Sequence, residues 1–210
     1  MKVKVCGITN IEDALLCESL RADALGFILY KGSKRFVEPE TAEKIISELS
    51  PFTLKVGVFV NSSFEEINRI AKEIKLNVVQ LHGEERPNII SKINFPVIKS
   101  FRINNGFDFT ILKEFGNMSY LFDTYLPTGQ AGSEKEYGGT GKTFNWELIP
   151  DELRSKIILS GGISVNNIEA VYKKIKPAAV DLSSSLESKP GKKDSEKVNE
   201  FFKKINNLRS

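Results

Sequence analysis

Eight short apolar runs, each followed by a stretch with helical spacing, constrain this chain more than any other feature. Val3 to Cys6 leads to a helix over about Ile11 to Leu20, Ala24 to Leu29 to one over Pro39 to Leu49, and Leu54 to Val60 to one over Ser63 to Ile74. Val78 to Leu81 precedes Glu85 to Ile93, Val97 to Phe101 precedes Phe107 to Phe115, and Tyr120 to Phe122 precedes a helical turn near Asn145. Ile157 to Leu159 and Ala179 to Leu182 precede helices over Val165 to Ile175 and Ser195 to Ile205. Strict alternation of this kind is the mark of βα units around a parallel sheet. Eight units close most simply into a (β/α)8 TIM barrel, an α/β fold in a single domain over residues 1–210. A doubly wound open sheet is the runner-up, but the turn after the first run reads Cys6-Gly7-Ile8-Thr9 and not GxGxxG. Helix starts are expected at Asn10, at Ser62 or Ser63, and at Ser164, each with acidic residues close behind.

In such a barrel chemistry collects where strands end. The residues closing the runs are polar: Cys6, Ser33 to Arg35, Asn61, His82, Ser100 with Arg102, Asp123, Ser160 with Gly161-Gly162, and Asp181 with Ser183-Ser184-Ser185. One rim would thus carry the chain's one histidine, a thiol, two carboxylates and two arginines. Ser160-Gly161-Gly162-Ile163 and Asp181 to Ser185 follow the seventh and eighth runs, where barrels commonly bind phosphate through successive backbone N–H groups. Gly161, Gly162, Ser183 and Ser184 are therefore expected to hold a phosphate, with Asp181 and His82 lining the substrate pocket. Asp123, at the end of an apolar strand, is a candidate acid with a raised pKa. Cys6 could be a small buried residue, or a base if a cation or helix end lowers its pKa. Cys17 and Trp146 read as packing.

Gly138-Gly139-Thr140-Gly141-Lys142-Thr143 has the look of a nucleotide loop, but GxxxxGK[ST] would need glycine at Glu136. Thr124 to Lys142, with Pro127 and five glycines, is expected to be a mobile loop over the site. The net charge of +3 is spread over 30 basic and 27 acidic residues, which gives no nucleic-acid footprint. The pairs Lys173-Lys174, Lys192-Lys193 and Lys203-Lys204 read as solvated faces. No apolar run reaches the ~20 residues needed to span a bilayer and no signal peptide is visible, so a cytoplasmic protein without a membrane partner is expected. Cys6 and Cys17 have no Cys or His at metal-ligand spacing, so no metal is expected.

Taken in order, Lys4-Val5-Cys6-Gly7-Ile8-Thr9, Gly26-Phe27-Ile28, Ser33-Lys34-Arg35, Val79-Gln80-Leu81-His82-Gly83, Asp123, Gly138 to Gly141, Ser160-Gly161-Gly162 and Asp181-Leu182-Ser183-Ser184 resemble the phosphoribosylanthranilate isomerase family of tryptophan biosynthesis. The resemblance covers nearly the whole chain. It implies an Amadori rearrangement of a phosphosugar substrate, N-(5-phosphoribosyl)anthranilate, without a cofactor, by a monomer or homodimer. It also implies Cys6 as general base, Asp123 as general acid and Arg35 as the partner of the anthranilate carboxylate. The family usually has glycine where this chain has Ser185. Two other readings are a related isomerase of the histidine pathway, which would have a carboxylate in place of Cys6, and a non-catalytic phosphosugar-binding barrel. The last would be favoured if Cys6 and Asp123 did not face one site.

Overall fold

The computed structural model describes residues 1–124 and 145–209. Eight parallel strands close into a barrel in sequence order: β1 (Lys2–Cys6), β2 (Ala24–Ile28), β3 (Leu54–Phe59), β4 (Val78–Leu81), β5 (Val97–Ile103), β6 (Ser119–Thr124), β7 (Ile158–Leu159) and β8 (Ala179–Leu182). Closure is made by β1 against β8, with Lys4 in register with Asp181, which rules out the open sheet. Between the strands run α1 (Ile11–Ser19), α2 (Pro39–Ser47), α3 (Phe64–Glu73), α4 (Pro87–Ile90), α5 (Leu112–Phe115), α6 (Asp151–Arg154) and α7 (Ile168–Ala170). The chain ends in α8 (Ser195–Arg209), preceded by a small hairpin of β9 (Glu187–Lys189) and β10 (Lys192–Lys193).

Two apolar cores result, because both faces of a barrel sheet are covered. Inside, Ala24, Val56, Ile98 and Leu121 form one layer, flanked by Val78 and Ile158. Outside, the alternate strand residues such as Val3, Val5, Leu25, Phe27, Phe59, Leu81 and Phe122 pack against the helices. Among the described residues no helix is long and apolar enough to cross a membrane.

Asn10 and Ser63 cap α1 and α3 as expected, accepting from the backbone N–H groups of Asp13 and Glu66. Ser164 does not cap its helix. Its own N–H donates to Asn167 Oδ1, and Asn167 is the residue at the start of α7. The fourth, fifth and seventh helices are shorter than their periodicity suggests, and α6 lies beyond the helical turn expected near Asn145. The 85–93 stretch keeps only α4, because Glu85 turns inward to Lys99 instead of joining a first turn. The stretch near Asn145 is a 3₁₀ turn at Trp146–Leu148, and Val171–Ile175 continues α7 as a π-helical segment. Lys192-Lys193 is not a solvated face. The Lys193 side chain is 0% exposed and paired with Glu187, and Lys192 bonds Asp13 and Asn10.

Candidate active site

The strand ends bring the sequence-identified residues into two adjoining cavities. Cys6, Arg35, His82, Asp123, Asp181 and Ser183 line a cleft with about 540 Å³ of free space, together with Ile28, Tyr30, Ser33, Val58, Val60, Gln80 and Ser160. Asp123, Ser160, Asp181 and Ser183 also line the neighbouring cavity, whose walls are otherwise Gly161 to Ile163, Leu182, Ser184 and Ser185. Asn61, at the end of the third run, is used differently: its Oδ1 accepts from the N–H of Glu84 and its own N–H donates to Glu85.

Local backbone explains the turns. Gly161 and Gly162 have φ of +87° and +65°, where a side chain would be strained. Ser185 is not among the residues with positive φ, so nothing in the backbone at that position requires the family's glycine. It sits in the 3₁₀ turn Ser184–Leu186. Gly7 is at φ +78°, and a Cβ there would lie 2.8 Å from Arg35 Cδ and 3.1 Å from Ser183 Oγ. Arg35 can therefore lie over the first strand end only because residue 7 has no side chain.

The charges are arranged in three buried groups. Arg35 is forked onto Glu187, with Nε at 2.9 Å and 3.0 Å and Nη2 at 2.7 Å from its carboxylate oxygens. Lys193 Nζ donates to the same carboxylate at 3.0 Å and to the Cys6 carbonyl at 2.7 Å. Burial alone would push Glu187 up, but the Arg35 and Lys193 cations together hold its carboxyl below the ordinary range. Lys99 donates to Glu85 at 2.8 Å and to the Gly83 carbonyl at 2.6 Å, which braces the turn following His82. Lys4 donates to both oxygens of Asp181, at 2.9 Å and 3.0 Å, inside the barrel. Burial pushes Asp181 up despite this partner.

His82 bridges toward Asp123. Its Nδ1 lies 3.2 Å from the Gln80 amide nitrogen and its Nε2 lies 3.5 Å from Asp123 Oδ2. Asp123 is also in register with Arg102 of β5. The Cys6 thiol is pushed up by burial, which outweighs the opposing effects of Lys4 and Lys193. Lys4 and Lys193 thus do not bring the thiol below its ordinary range, the condition set from the residues alone for Cys6 as a base. Cys17, buried in α1, is pushed up to about 12, as fits a packing residue. Trp146 is partly buried against the outer core.

Three lysines, Lys4, Lys99 and Lys193, were not singled out from sequence as parts of the site. The signal for Lys4 was the aspartate at position 181, in a strand that is otherwise Ala179-Val180 and Leu182 and that pairs with the first. The stretch Thr124 to Lys142 and the Gly138 to Gly141 set lie outside the described residues, apart from Thr124 at the end of β6.

A model of the family described as N-(5'phosphoribosyl)anthranilate (PRA) isomerase matches residues 3–204. The chain belongs to this isomerase family. Curated members of it include the N-(5'-phosphoribosyl)anthranilate isomerases of Trichlorobacter lovleyi, 42% identical with 97% of both chains covered, and Thermotoga petrophila, 43% identical with 99% of this chain and 100% of the relative covered. Among solved structures, the isomerase of Thermotoga maritima superposes with a TM-score of 0.88 at 42% identity over 99% of both chains. Another phosphoribosyl anthranilate isomerase, solved in complex with reduced 1-(o-carboxyphenylamino)-1-deoxyribulose 5-phosphate, gives 0.85 at 38% identity over 99% of both. A 3-hexulose-6-phosphate synthase of Salmonella typhimurium, 13% identical with a TM-score of 0.68, shares the fold.

Proposed function

We propose that this isomerase converts N-(5-phosphoribosyl)anthranilate to 1-(2-carboxyphenylamino)-1-deoxyribulose 5-phosphate, with Asp123 as general acid and Cys6 as general base. The supporting observation is that Cys6 and Asp123 line one cleft while the Gly161 and Ser183 loops line the cavity beside it. In this reading the phosphate of the phosphosugar rests on those loops and its sugar in the cleft that Cys6 and Asp123 line. Asp123 donates its proton to the furanose ring oxygen as the C1–O bond breaks, and the amine nitrogen lone pair forms the Schiff base. Cys6, as thiolate, takes the proton from C2, and the C–H electron pair returns to the nitrogen through a C1–C2 enamine. Loss of the 2-hydroxyl proton and protonation at C1 leave the ketone. No cofactor takes part in this scheme, since no electrons leave the substrate.

Arg35 is the candidate for the anthranilate carboxylate, because a guanidinium presents donors beyond those that one carboxylate uses. Glu187 keeps it at the mouth of the cleft. Interleaved surface charge fits a cytoplasmic enzyme acting on a dissolved metabolite. The test is to follow the fluorescence of the anthranilate-bearing substrate with purified protein. Saturable consumption is expected, and a folded protein that left the substrate unchanged would overturn the reading.

A further inference from the structure

Lys4 stands two residues before Cys6 on β1, fully inside the barrel, with 4% of its side chain exposed. Two things hold it there. Asp181 of β8 accepts from its ammonium through both carboxylate oxygens, and the nearby Cys6 thiol adds to the pull that keeps it charged. Gly26 of β2, in register with Cys6, keeps the space between thiol and ammonium open: a Cβ built there would lie 2.8 Å from Cys6 Sγ and 3.0 Å from Lys4 Nζ. Thiol and ammonium therefore converge on the point from which residue 26 withholds a side chain. A buried ion pair is seldom the most stable filling for a barrel interior, since apolar residues of similar size usually do as well or better. What Lys4 adds at this place is a cation beside the one thiol that lines the cleft.

We propose that Lys4 is a positioning residue for the reaction: clamped by Asp181, it holds Cys6 Sγ toward the cleft and is the built-in counter-ion of the thiolate. The inference rests on the reading of Cys6 as base. Other charged groups face the thiol too. Asp181 opposes the thiolate, Lys193 of β10 supports it from above, where its Nζ bonds the Cys6 carbonyl, and Arg35, His82 and Asp123 line the same cleft from the loop after β2, from the end of β4 and from β6. Burial raises the thiol, and Lys4 is the largest influence drawing it back. Lys4 itself would be lowered by burial, but Asp181 and Cys6 hold it above the ordinary lysine range, so it stays charged through the working pH range.

The test titrates Cys6 directly, by thiolate absorbance and by the pH dependence of alkylation. Peptide mass spectrometry distinguishes Cys6 from Cys17. The same samples give kcat/KM as a function of pH. Lys4→Met is expected to move the Cys6 titration upward by about 1–3 pH units, the usual effect of losing an adjacent opposite charge, and to carry the ascending limb of kcat/KM with it. Lys4→Arg should restore most of both shifts. If Lys4→Met fails to fold because Asp181 is left unpaired, Lys4→Met/Asp181→Asn keeps the interior neutral and should still show an upward, smaller shift. An unchanged Cys6 titration in a folded variant would overturn the proposal, and so would a titration that moved while the kcat/KM limb stayed. A failure of the isomerase reading shows separately, as wild-type protein that does not consume the substrate.

Discussion

The lower and upper parts of the barrel interior have opposite chemistry. The lower layer, Ala24, Val56, Ile98 and Leu121, is apolar and closely packed. Elsewhere the interior holds Lys4 and Cys6 from β1, Gln80 and His82 from β4 and its end, Asp181 from β8, and Asp123 two residues beyond Leu121 on β6. The lower layer is where hydrophobic burial stabilises the closed sheet. The upper one spends stability: among the described residues Gln80 Oε1 and Ser100 Oγ are buried without a hydrogen-bond partner, a costly state for a group that only had to fill space. The difference shows that stability and chemistry in this barrel are separable by depth, and it yields predictions that can break that separation.

The largest effect is expected at Asp123. Asp123→Asn should lower kcat by on the order of 10²–10⁴, the usual scale for a general acid, with the unfolding midpoint in urea nearly unchanged. A large loss of stability with normal turnover in the folded fraction would invert the comparison. Leu121→Ala in the lower layer should do the reverse, costing about 2–5 kcal/mol in urea unfolding while kcat of the folded protein stays near normal. Arg35→Ala is expected to weaken substrate binding by about 1.5–3 kcal/mol, read as a KM that rises more than kcat falls. Unchanged kinetics would remove Arg35 from the site.

The smallest effect concerns pH. Glu187 is held below its ordinary range in the folded protein, so it adds stability above the ordinary glutamate pKa of about 4.3, and that contribution is lost as pH falls through the folded value. Its part of the slope is at most about 1.4 kcal/mol per pH unit, and it should disappear in Glu187→Gln when unfolding free energy is measured through the acid range.

Much of this division was legible in the sequence. β4 and β8 begin and end where their apolar runs do, and the rim residues given catalytic or substrate-binding roles line one of the two cavities, whereas Asn61, Ser100 and Arg102 are not among the lining residues. The buried lysines were not legible, for a physical reason. Lys2-Val3-Lys4-Val5 reads as a half-exposed strand with valine inward, whereas Val3 and Val5 face the helices and Lys4 faces the barrel interior. Alternation cannot tell inside from outside when both faces are buried. Glu85 and Ser164 were hidden similarly: Glu85 reads as the start of a helical stretch and Ser164 as a cap, and only the fold reveals that Lys99 takes the Glu85 carboxylate and that the Ser164 N–H donates to Asn167 Oδ1.

The central claim is that the thiol of Cys6 is the base, and turnover by Cys6→Ser across about pH 6 to 10 tests it most directly, since a hydroxyl fills nearly the same volume without supplying a comparable base. In wild type kcat/KM should rise toward an ascending limb displaced to high pH, as the upward-shifted thiol requires. In folded Cys6→Ser that limb should vanish and kcat should fall by on the order of 10²–10⁴. Near-normal turnover by Cys6→Ser with the limb still in place would contradict the account.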